Sequence, residues 1–157
     1  MHGVNTPRGT LIAWLGHPLT VLALVLLILN DHVFKAAYPG WLTGKLSDAA
    51  GLVLAPALLA ALTGLLAPRL NPRGVALGAL LTVAAAFTII KSFAYGAQQA
   101  SAAWSLIYPS QFRVDRTDLL TLPFLILAWW AWTAARRRPA PARWVRAAGS
   151  ACCCRSR

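Results

Sequence analysis

Four apolar blocks, each longer than a small soluble core requires and separated by short polar segments, constrain this chain most. They read "LIAWLGHPLTVLALVLLIL" (11–29), "AAGLVLAPALLAALTGLLA" (49–67), "GVALGALLTVAAAFTII" (74–90) and "LLTLPFLILAWWAWTAA" (119–135). A helix that crosses a bilayer needs roughly 17–25 such residues. The third block reaches only about 25 Å at 1.5 Å per residue, so it is expected to recruit flanking residues to about 93. None of the blocks alternates polar and apolar residues as a barrel strand does. In lipid every backbone N–H and C=O needs an internal partner, which leaves helices. The predicted fold class is therefore all-α: an integral membrane bundle of four transmembrane helices within residues 1–135, with spans at about 11–29, 49–67, 74–93 and 119–135.

Charge supports this. Only 12% of the residues are charged and 58% are hydrophobic, whereas a soluble domain carries about 25% charged residues. The formal charge of +11 does not point to nucleic acid, because the arginines flank apolar blocks and form no basic face. Block one has a single Arg8 before it and only a faint cleavage-site likeness at Lys35–Ala37. It is also long for a signal sequence, so it is expected to stay as a helix.

Orientation follows from the basic residues. Arg8, Arg69, Arg73 and the tail 136–157, "RRRPAPARWVRAAGSACCCRSR", fall on one side of a four-span chain. The positive-inside rule makes that side, with both termini, cytoplasmic, in a bacterial inner (plasma) membrane. Residues 30–48 and 94–117 then face the periplasm or exterior. Trp14, Trp129, Trp130 and Trp132 are expected at the inner interface, and Trp41 and Trp104 at the outer one. The tail is expected to lack fixed structure and to lie on anionic lipid. Cys152, Cys153 and Cys154 are adjacent, which makes no disulfide framework in a reducing compartment.

The acids carry the sharpest signal. The chain has four, Asp31, Asp48, Asp115 and Asp118, and no Glu. All four fall on the predicted outer side, next to all three lysines. With their neighbours they define a candidate polar cluster: Asn30, Asp31, His32, Lys35, Lys45, Ser47, Asp48, Lys91, Arg113, Asp115, Arg116 and Asp118. Asp31 and Lys35 have the i,i+4 spacing of a helical ion pair, acid first. His32 is the residue type that titrates near neutrality.

Ser47–Asp48 and Thr117–Asp118 stand at predicted helix starts, where Ser, Thr and Asp are preferred N-caps. Capping leaves Lys45, Asp115 and Arg116 unexplained. Lys91 follows "AAAFTII" without a break. The ordinary expectation is that it snorkels to the interface, and the alternative is that it pairs with Asp48 or Asp118. No His- or Cys-based ligand spacing accompanies the acids, and five cations lie nearby, so neither metal nor cofactor is expected. His17 beside Pro18 suggests a packing residue at a kink. Gly74 and Gly78 form a GxxxG that suggests close helix packing.

"KLSDAAGL" and "DRTDLLTL" share a basic residue, Ser or Thr, Asp, and Leu four residues after the Asp. This is a faint internal repeat, and it would be parallel. The N-D-H run at Asn30–His32, K-L-S-D at Lys45–Asp48 and D-x-T-D-L at Asp115–Leu119 resemble boxes of small bacterial multi-pass proteins. A looser likeness is to VanZ-like proteins. Those resemblances imply the architecture and no activity. In size, span number and outer-leaflet aspartates the chain is also similar to signal peptidase II, whose D-Q-x-x-K box is echoed at Asp31 and Lys35. That likeness implies a catalytic aspartate pair, with Asp115–Arg116 and Asp118 in the comparable place. The family's G-x-x-x-N-x-x-D-R and F-N-x-A-D boxes are missing.

The first expectation is thus a structural or accessory membrane protein, with lipid and another membrane protein as partners. The alternatives are a membrane-interface hydrolase acting on a lipid-linked substrate through an aspartate pair, and a small proton-coupled transporter. Catalytic candidates are Asp31, His32, Asp48, Lys91, Asp115 and Asp118.

Overall fold

The computed structural model describes residues 7–34, 37, 40–105 and 115–137. Lys35, Arg113, the tail from 138 and the three cysteines lie outside the described residues. Helix α1 (Pro7–Leu15) and helix α2 (Pro18–Leu29) are followed by a π-helical turn at Asn30–Phe34. Then come α3 (Trp41–Leu66), α4 (Pro72–Ser92) and α5 (Ala94–Ser105). A 3₁₀ turn at Arg116–Thr121 leads into α6 (Phe124–Arg137). No strand occurs among the described residues.

Three segments are long and apolar enough to cross a membrane: Trp41–Leu66, Pro72–Ser92 and Arg116–Arg137, with mean hydropathies of 2.1, 1.9 and 1.4. A fourth is available if the bent pair Gly9–Leu15 and Pro18–Phe34 counts as one span.

The first block is not one straight helix. It bends by 44° between α1 and α2. Pro18 has no N–H to give the Trp14 carbonyl four residues back, so the helix breaks there. That carbonyl accepts instead from the His17 N–H at 3.0 Å and from the Thr20 hydroxyl at 3.0 Å. The extended His17 becomes the N-cap of α2, its Nδ1 accepting from the Leu19 N–H at 3.3 Å. The sequence expectation of a buried histidine at a kink is met.

Proline shapes the last span as well. Pro123 offers no N–H to the Leu119 carbonyl, which accepts from the Leu122 N–H at 3.1 Å instead. A 3₁₀ turn therefore precedes α6, and the expected single helix from 119 is divided. The helix runs on to Arg137, two residues into the expected tail.

Helix α3 is the hub, packing against α1, α2, α4, α6 and both short turns. Its inward face is mostly small: Ala49, Ala50, Val53, Ala57, Ala60, Ala61 and Gly64 are buried, together with Leu52 and Pro56. Ala57 and Ala60 pack in one core with Ala76 and Ala79 of α4 and Ala128, Ala131 and Ala135 of α6, and Ala50 and Val53 pack in a second with Ala23 of α2. Large apolar side chains lie outside instead, Leu22, Leu81 and Ile126 among them, at 61%, 69% and 69% exposure. A water-soluble fold buries its leucines. Small residues within and large ones without let helix backbones approach closely in a lipid environment.

The tryptophan expectation needs correction. Trp129 and Trp130 are exposed, but Trp14 and Trp132 are fully buried, their rings 5.4 Å apart. Trp132 shares the stripe of Ala128, Ala131 and Ala135, so its helix face turns it inward. At the same end, a Cβ added to Gly64 would stand 2.5 Å from Cδ1 of the buried Leu11. Gly64→Leu should therefore overpack the α1–α3 contact, at a cost of about 1–3 kcal/mol. Thermal unfolding in detergent micelles measures this, and an unchanged midpoint would mean α1 does not pack there.

Candidate functional site

Helix α3 begins at Trp41, eight residues before the expected start. Gly40 is its N-cap, with the Thr43 hydroxyl accepting from the Gly40 N–H at 3.2 Å and donating to the Gly40 carbonyl at 2.8 Å. Ser47 and Asp48 are consequently not caps. They stand in the second helical turn, and their side chains are free to reach other elements. Lys45 and Asp48, spaced i,i+3, share one face.

Lys91 does not snorkel. Its ammonium, at the last turn of α4, donates to Asp48 Oδ2 at 2.7 Å and to Asp118 Oδ2 at 2.6 Å. Lys45 donates to the other oxygen, Asp118 Oδ1, at 2.8 Å, and to the Thr117 hydroxyl at 2.8 Å. The side chains of Lys45, Lys91 and Asp118 are each 12% exposed, and that of Asp48 is 22%. Two anions and two cations thus alternate along one ladder, Asp48–Lys91–Asp118–Lys45, and their formal charges cancel. Aromatic faces back both ammonium groups, with Trp41 4.6 Å from Lys45 and Phe87 5.6 Å from Lys91.

Asp115 ends the ladder. It is the N-cap of the 3₁₀ turn, accepting from the Thr117 hydroxyl at 2.8 Å and from the Thr117 N–H at 2.9 Å. Capping thus falls to Asp115 and not to Thr117–Asp118, which leaves Asp118 buried and turned to the lysines. The Thr117 hydroxyl and amide hold the Asp115 carboxyl below the usual carboxylate range. Because that value is lowered on folding, the cap is complete above the ordinary range and is lost only as pH falls through the lowered value.

The other half of the cluster is looser. The Ser47 hydroxyl donates to Asp31 Oδ1 at 3.2 Å. Asn30 is fully buried, and its Nδ2 donates to the Thr43 carbonyl at 2.8 Å, tying the end of α2 to the start of α3. His32 is exposed, its Nδ1 3.0 Å from the Ile28 carbonyl on its own helix. Arg116 is also exposed. Of the sequence candidates, the structure brings Asp48, Lys91, Asp118, Lys45 and Asp115 into one network, and joins Asp31 to Ser47 beside it. Lys35 and Arg113 lie outside the described residues.

Thr43, Thr117 and Trp41 were not among the sequence candidates. Thr117 had a legible signal, a hydroxyl between two acids. Trp41 had one too, since it stands four residues before Lys45 on the same helix face.

A catalytic aspartate pair shares a proton between two carboxylates. Here Lys91 donates to one oxygen of each of Asp48 and Asp118, and Lys45 takes the other Asp118 oxygen. Among the described residues no three His, Cys, Asp or Glu side chains are grouped so that they could hold a metal ion. Lys91→Met would leave Asp48 without its lysine and two carboxylates facing each other, at an expected cost of about 3–5 kcal/mol for breaking a buried pair. Lys45→Met should cost less, because Asp118 keeps Lys91. Unfolding midpoints in micelles rank the two, and equal losses would contradict the bridging role of Lys91. No family model, curated protein or solved structure matches this chain.

Proposed function

We propose that the chain is a four-span integral membrane protein of a bacterial inner membrane, with the bent α1–α2 pair as its first span. Both termini are cytoplasmic, and the ion-paired ladder faces the periplasm. The protein acts as a structural or accessory component, presenting a rigid outer face to a membrane protein partner.

The single observation that carries this reading is Lys91 held between Asp48 and Asp118, with Lys45 on the remaining oxygen. Every strong charge in the ladder is matched within the chain. Helices α3, α4 and the lead-in to α6 supply its parts, so the ladder fastens three spans at one end. The opposite end carries Arg69, Arg73, Arg136 and Arg137 and no acid. That asymmetry supports the orientation.

If the ladder is structural, removing all its charges together is tolerated where removing one is not. Replacing a complete buried ion cluster by neutral groups of similar volume is often neutral or stabilising. The variant K45M/D48N/K91M/D118N should therefore unfold near the wild-type midpoint, and should complement deletion of the gene in its host. A variant that folds but fails to complement would transfer the ladder to chemistry, the aspartate-hydrolase reading.

A further inference from the structure

An apolar groove of about 490 Å³ opens between the last turns of α3 and the first half of α4. Leu59 and Thr63 of α3 and the buried Val75 and Ala79 of α4 line it, with Leu70 and Asn71 where the chain passes into α4. The exposed Gly74 and Gly78 also line it, and a Cβ added at either would meet no heavy atom within 4 Å. The close packing expected of this GxxxG is thus not made within the described residues. From Gly74 to Thr82 the groove runs roughly 12 Å along the axis of α4.

We propose that this groove holds an acyl chain of an anionic phospholipid whose phosphate is met by Arg69 and Arg73. Both arginines are exposed, and they neighbour the lining residues Leu70 and Gly74. The groove mouth coincides with the start of α4, where the Asn71 side chain takes the Arg73 N–H and its carbonyl takes the Val75 N–H. Pro72 has no N–H, which leaves the Gly74 amide as the first-turn donor beside the two arginines. All four acids lie at the other end of the molecule, so the mouth holds cations without counter-charge. A second copy of the chain seated here would bring like charges together, whereas a lipid phosphate supplies the missing anion. The groove volume lies within the roughly 300–1,000 Å³ of small-ligand sites. Basic pockets between spans on this side of a membrane bind acidic headgroups.

The inference rests on the membrane reading and not on the role of the ladder. Retention of the protein in the membrane pellet after alkaline extraction tests that reading separately. Native mass spectrometry of the full chain, released from micelles doped with phosphatidylglycerol or phosphatidylcholine of equal chain length, tests the site. Wild type should keep one phosphatidylglycerol with about thirtyfold preference over phosphatidylcholine, since two arginines contribute about 1 kcal/mol each. A Cβ at Gly78 meets nothing, so Gly78→Leu sets an apolar side chain into the groove and should remove the bound lipid of either kind while the unfolding midpoint holds. R69Q/R73Q should keep a lipid and lose the preference. Lipid retention unchanged by Gly78→Leu would overturn the proposal, because the basic tail would then be the binder. A dimer that Gly78→Leu abolishes would overturn it as well, in favour of a second copy.

Discussion

An ammonium at the end of an apolar helix has to find an anion or reach water, and Lys91 finds two anions. Asp48 comes from α3 and Asp118 from the turn before α6, so one cation joins three separate elements. Lys45 then takes the free oxygen of Asp118 from the same face of α3 that carries Asp48. Because the bonds run from α3 outward and back to α3, they form a clamp and not a row of independent pairs. Sliding α4 by one turn, about 5.4 Å, would break both Lys91 bonds. The register of the spans is therefore fixed by charge at one end. Leucine and alanine packing alone would leave it far less determined.

Away from the clamp the interior has a different chemistry. Ala57, Ala60, Ala76, Ala128 and Ala131 are buried, and they bring the backbones of α3, α4 and α6 together. Such packing gains dispersion energy over many small contacts. It has little power to choose between neighbouring registers, since one alanine resembles another. The clamp supplies that choice. Proline supplies another kind, because Pro18 and Pro123 each break a span at a place where hydroxyl or 3₁₀ hydrogen bonds take up the released carbonyl. Thr20 does so for Trp14, and Leu122 for Leu119.

How much of this was legible depends on the residue. The apolar blocks announce the helices, and the kink at His17–Pro18 follows from the missing proline N–H. The gathering of Asp48, Lys91 and Asp118 was visible as a segregation of acids with lysines. What was not legible is the direction in which a polar residue near a helix end points. Ser47 and Asp48 read as N-caps of a span starting at 49, with Lys45 unexplained beside them. They are the first turns of the helix itself, turned inward because partners wait there. Trp14 and Trp132 failed for the same reason. Tryptophan near a span end suits an interface or a core, and only the alanine stripe beside Trp132 marks the core.

The distribution of charge along the bundle bears on what the ladder can do. Beyond Asp48, α3 holds no charged residue, and none occurs in residues 74–90 or 119–135. Four threonines of these segments are turned to their own helices: Thr63 donates to the Leu59 carbonyl, Thr88 to that of Ala84 and Thr133 to that of Trp130, each at 2.8 Å, and Thr121 to that of Asp118 at 2.7 Å. A proton or ion passing through the bundle would need polar steps at membrane depth, where they are expensive and so usually mark a pathway. The ladder instead stops within the end turns of the helices, with its charges matched among themselves. An arrangement of this kind holds helix ends together, and it leaves the apolar length below free to meet lipid.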